Sequence, residues 1–154
     1  MNAIATNPAT HTVTADLQDT LAELIDLSLI GKQAHWNVVG PNFRSIHLQL
    51  DEIVDLARLS ADRVAERIAT IGSIPEGRAR AVADTSDLPE YPAGLVEVEE
   101  TVTRIGETMD AIAGRLVDRI LRMGDADPVS QDILINTSDE LEKQAWMLRA
   151  QLSR

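Results

Sequence analysis

The sequence contains no cysteine. Disulfides, thiolate metal sites and thiol nucleophiles are thereby excluded, and the chain suits a reducing compartment such as the cytoplasm. Aromatic residues make up 3% and comprise Trp36, Phe43, Tyr91 and Trp146. The core must therefore be assembled from Leu, Ile, Val and Ala, as helix-on-helix packing readily permits. Lysine occurs only at Lys32 and Lys143, and the formal net charge is −11. Such a surface repels nucleic acid and anionic lipid and attracts cations. No run approaches the ~18 uninterrupted apolar residues of a membrane span. Residues 1–15 carry no Lys or Arg and do not read as a signal peptide. What is present is a chain of 154 residues, 44% of them hydrophobic, enough for one domain with a sizeable core.

Residues 1–13 are small and polar, include Pro8, and read as a flexible tail in which His11 is solvated. Thr14 is expected as an N-cap, with Asp16 in the first turn where the helix dipole favours an acid. Leu17, Leu21, Leu24, Ile25, Leu29 and Ile30 follow at helical spacing and predict a first helix to about Val38, stopped by Gly40-Pro41. Ile46, Leu50, Ile53, Val54, Ala57, Val64 and Ile68 predict a second, from about Asn42 to Ile71, ended by Gly72. Residues 73–92, with Pro75, Gly77, Pro89 and Pro92, form a long connection with a short helix over 78–83. The third helix is expected from about Ala93 to Met123, carrying Leu95, Val98, Val102, Ile105, Met109, Ile112, Leu116 and Ile120. Asp127-Pro128, an N-cap followed by proline at the first helical position, opens a fourth that runs to about Leu152. Short link, long crossover, short link is the ferritin-like order. The predicted fold is all-α, a ferritin-like four-helix bundle over residues 14–152.

On the second helix, His47, Asp51, Asp62 and Glu66 fall at roughly 0°, 40°, 60° and 100° around the axis, on one face. They form two (i, i+4) pairs. Imidazole with carboxylate suits iron, manganese or zinc. Asp51 and Asp62 lie about 16 Å apart along the helix, whereas ligands approach a metal to about 2–2.5 Å. One chain therefore cannot close the site. Two second helices meeting antiparallel would bring His47 and Asp51 of one chain to Asp62 and Glu66 of the other, twice, with the dyad near Leu56–Ala57. His35, near the end of the first helix, adds to the set. Spacing alone leaves Asp62 and Glu66, beside Arg63 and Arg67, equally readable as a solvated face, and each histidine singly as a cap or core residue. Taken jointly, two histidines and three carboxylates favour a metal.

The run Lys32-Gln33-Ala34-His35-Trp36-Asn37-Val38-Val39-Gly40, then Phe43, His47 and Asp51, then Asp62-Arg63-Val64-Ala65-Glu66-Arg67, resembles the Dps family of mini-ferritins. So does the ending, with Asp132-Ile133-Leu134 and Lys143-Gln144-Ala145-Trp146-Met147. The resemblance extends over residues 14–152. It implies a hollow dodecamer, built from two-fold dimers, that oxidises Fe(II) with hydrogen peroxide, stores the ferric product and limits oxidative stress. It implies ferroxidase ligands His35, His47, Asp51, Asp62 and Glu66 at the dimer interface. Trp36, next to a ligand, is then either an electron donor and radical trap or an interface packing residue, and Trp146 carries the same two readings. Asp125, Asp127 and Asp132, around the start of the fourth helix, correspond to the lining of iron-entry pores on three-fold axes, although Asp125 and Asp127 also suit a helix N-terminus.

Family members that bind DNA do so through lysine-rich tails. Here residues 1–31 hold no Lys or Arg, and the C-terminus adds only Arg149 and Arg154. Two rival functions follow from the same residues: a DNA-compacting stress protein, which the tail composition disfavours, and a hydrolase using the His/carboxylate metal to activate water.

Overall fold

The computed structural model describes residues 8–152. Helix α1 spans Pro8–Asn37, α2 Phe43–Thr70, the short α3 Ala79–Thr85, α4 Val98–Met123 and α5 Pro128–Ala150. Two dipeptide strands, β1 at Val38–Val39 and β2 at Val96–Glu97, pair in parallel, Val38 against Val96. Helices α1, α2, α4 and α5 form the bundle. α1 packs chiefly on α2 and α4 on α5, while α3 lies against α1 within the crossover. The core is aliphatic: Leu17, Leu24 and Leu27 of α1, Ile46, Leu50 and Ile53 of α2, Ile105, Ile112 and Leu116 of α4, and Leu134 of α5 are all fully buried. Among the described residues no helix is long and apolar enough to cross a membrane.

Two boundaries and one core assignment differ from expectation, each for a local reason. α1 begins at Pro8, not after Thr14. Proline is favoured at the first helical position because its missing N–H would be unpaired there anyway, and Val13, one turn on, is already buried. Thr14 Oγ1 instead bonds Ser73 Oγ at 3.2 Å. Residues 1–7 of the expected tail, and the side chain of His11, lie outside the described residues. The third bundle helix opens at Val98, not Ala93. Pro92 and Gly94 (φ +83°) hold the preceding chain out of helical geometry, β2 intervenes, and Leu95 is 73% exposed. Leu29 lies off the core stripe of α1 and is 54% exposed.

The helix ends follow their residues. α2 closes on a Schellman arrangement: Ser73 N donates to Ile68 O and Gly72 N to Ala69 O, both at 3.0 Å, with Gly72 left-handed at φ +83°. α5 opens on Asp127, whose carboxylate accepts from Ser130 N at 3.1 Å, with Pro128 next. Between α1 and α4 runs an ionic seam. Buried Glu23 takes Arg119 at 2.7 Å and Arg115 at 2.6 Å, and Asp16 takes Arg122 at 2.7 Å.

Candidate metal centre

The α1–α2 corner places His35 just before the end of α1 and His47 in the first turns of α2. Gly40 adopts φ +111° and Asn42 φ +62°, so the chain reverses within a few residues and the histidines face one another. Glycine is needed at position 40, where a Cβ would also stand 2.5 Å from Glu97 Oε2. The two imidazoles stack with centroids 3.7 Å apart and planes 20° from parallel. Each Nδ1 lies 2.8 Å from the other histidine's backbone carbonyl oxygen. A carbonyl only accepts, so both Nδ1 atoms donate. In the neutral ring this fixes the tautomer and leaves Nε2 with its lone pair, the orientation by which protein histidines are prepared for metals.

Asp51 completes the cluster, its Oδ1 3.4 Å from His35 Nδ1. Lys32, whose role the sequence did not disclose, pairs with the same carboxylate. The hydrogen bond from Lys32 holds the Asp51 carboxyl below its usual range. Partial burial opposes this, and the charges of His35, Lys32 and His47 assist it. The clue available in the sequence was Lys32 lying one turn before His35 on the same helix.

Asp62 and Glu66 occupy the same face of α2, about 16 Å and about 22 Å along the axis from Asp51. Both are exposed. Arg67, next to Glu66 in the sequence, turns away to Asp127 (2.8 and 3.0 Å) and Ser130 (2.9 Å). Among the described residues, no group of three or more His, Asp and Glu side chains of the single chain is arranged to hold a metal. Thus His35, His47 and Asp51 are brought together, and Asp62 and Glu66 form a separate pair. Trp36, beside His35, is 69% exposed and lines a groove with Leu29, Gln33 and Tyr91. Trp146 is exposed as well.

The acids at the start of α5 divide. Asp125 and Asp132 are exposed. Asp127 is not available to line a pore: its carboxylate caps α5, bonds Ser130 Oγ at 2.6 Å and receives both bonds from Arg67. Burial raises its pKa, but the Ser130 and Arg67 interactions outweigh that and hold it below the usual range.

Residues 14–154 match the ferritin-like domain family. The DNA protection during starvation protein of Mycolicibacterium smegmatis is 39% identical over 136 residues, covering 88% of this chain and 74% of that one. This chain belongs to the Dps family of ferritin-like proteins. A solved structure of the Dps of Microbacterium arborescens in the high iron form superposes with a TM-score of 0.91 at 31% identity, covering 99% of this chain and all of that one. The fine tangled pili major subunit of Haemophilus ducreyi is also 39% identical, over 92% of this chain and 75% of its own length. In this chain His47 with Asp51, and Asp62 with Glu66, stand at separated levels of α2, with His35 of α1 beside the first pair.

Proposed function

We propose that this Dps-family protein is a ferroxidase and iron store whose catalytic centre is shared between two chains. One observation carries the reading. Two imidazoles in a metal-ready tautomer and the Asp51 carboxylate lie together where α1 meets α2, while the carboxylates of Asp62 and Glu66 stand on the same face of α2 too far away to reach them. A second, antiparallel copy joins the halves. Fe(II) is the substrate, held by His35, His47 and Asp51 of one chain and Asp62 and Glu66 of the other. The three carboxylates offset its charge and favour the harder ferric product. Hydrogen peroxide takes up two electrons and two protons to become water, so two ferrous ions are oxidised per peroxide and no hydroxyl radical is released.

The assembly that stores the product is a hollow dodecamer of such dimers. Asp125 and Asp132, at the exposed start of α5, line its iron-entry pores and concentrate cations there. Trp36 supplies an electron when a second ferrous ion is absent. Replacing it with phenylalanine keeps the packing surface but removes the oxidisable indole. Trp36→Phe should leave the rate of Fe(II) oxidation unchanged while spin trapping detects more released radical; equal radical yields would assign Trp36 to packing alone.

The ferroxidase reading is tested by following ferric absorbance after Fe(II) and peroxide are mixed with His35→Ala and Asp62→Ala proteins. Both should lose oxidation at the centre. Unchanged oxidation in either removes the reading.

A further inference from the structure

The spacing of the half-sites fixes where a two-fold partner crosses α2. His47 with Asp51, and Asp62 with Glu66, are centred between residues 56 and 57. Ala57 is fully buried in its own core and Leu56 half-buried, so the side chains facing outward at the crossing are Asp55 and Arg58. They lie at about 80° and 20° around the helix, within the arc of about 0–100° that the ligands span. Both are exposed. Among the described residues, neither has a hydrogen bond or ion pair within its own chain. Elsewhere Arg67 pairs with Asp127, Arg104 with Glu100 and Arg119 with Glu23, whereas Arg44, Arg63 and Arg80 are, like Arg58, without an ion pair among the described residues.

An antiparallel two-fold axis at this level sets each Asp55 near the partner's Arg58, and each Arg58 near the partner's Asp55. The patch is self-complementary in charge. Sliding the copies by one turn in one direction would instead oppose Asp55 to the partner's Asp62, and Asp51 to the partner's Glu66. Leu59, 61% exposed beside the pair, offers apolar surface for the partner to cover and so to exclude water from the charges.

We propose that Asp55 and Arg58 of two copies form a four-charge cluster on the dyad that holds the half-sites in register. This rests on the shared-site reading of the metal centre. The test compares Asp55→Arg, Arg58→Asp and the double exchange D55R/R58D in the full chain, by sedimentation and by Fe(II) oxidation. Each single reversal gathers four like charges on the axis and should weaken association by roughly a hundredfold or more, with oxidation lost in parallel. The double exchange should restore both. Single variants that assemble as the unaltered protein does, or a double variant that stays dissociated, would overturn the cluster. If the single variants stay assembled while Asp62→Ala abolishes oxidation, the cluster alone fails. If Asp62→Ala oxidises iron normally, the shared site fails and the cluster with it.

Discussion

Asp127 shows how one carboxylate can be committed by its neighbours. It caps α5, and it receives Arg67 across the α2–α5 interface. Asp127→Ala should destabilise the fold by about 2–3 kcal/mol, combining a lost cap with a partly buried arginine left unpaired; urea unfolding measures it. Because the folded pKa of Asp127 is depressed, its contribution is complete above the unfolded value of about 3.9 and is lost as pH falls through the lower folded value. Asp127→Asn should flatten the acid limb of the stability profile. Glu23 is the stronger case, buried with Arg119 between α1 and α4. Glu23→Ala should cost about 3–5 kcal/mol, since the arginine charge stays buried without its partner. A loss under about 1 kcal/mol would mean that Arg119 finds water or another acid.

At the level of elements, the α1–α2 corner links sequence to site. Gly40→Ala forces a side chain onto a left-handed backbone and toward Glu97. It should lower stability by about 1–2 kcal/mol and slow iron oxidation by separating His35 from His47; a thermal melt and an oxidation trace check both. The four bundle helices were legible because their aliphatic residues recur at helical spacing and because Gly72, Gly124 and Asp127-Pro128 mark ends unambiguously. The start of α1 was not, because residues 8–13 are small and polar and only Val13 advertises a core face. Leu95 misled because an exposed leucine in an extended segment has the same periodicity as a buried one. The shared face of His47, Asp51, Asp62 and Glu66 on α2 was legible from angle and spacing. Lys32, the reciprocal histidine bonds and the capture of Arg67 by Asp127 were not, since each joins residues of different elements through side-chain direction.

For the whole molecule, charge and symmetry decide behaviour. A chain of net charge −11 with no Lys or Arg in residues 1–31 releases few counterions from DNA. Duplex DNA should run unretarded in its presence at about 0.15 M salt, and strong retardation without added divalent cations would contradict this. The central claim is that each catalytic centre takes residues from two chains, and mixing complementary variants tests it most directly. A chain carrying His35→Ala and His47→Ala, and another carrying Asp62→Ala and Glu66→Ala, should each fail to oxidise Fe(II) at the centre. Unfolded together and refolded, they should form mixed dimers with one intact centre, recovering about a quarter of the unaltered activity under random pairing. Activity in either variant alone, or none in mixed dimers isolated as such, would contradict the shared centre.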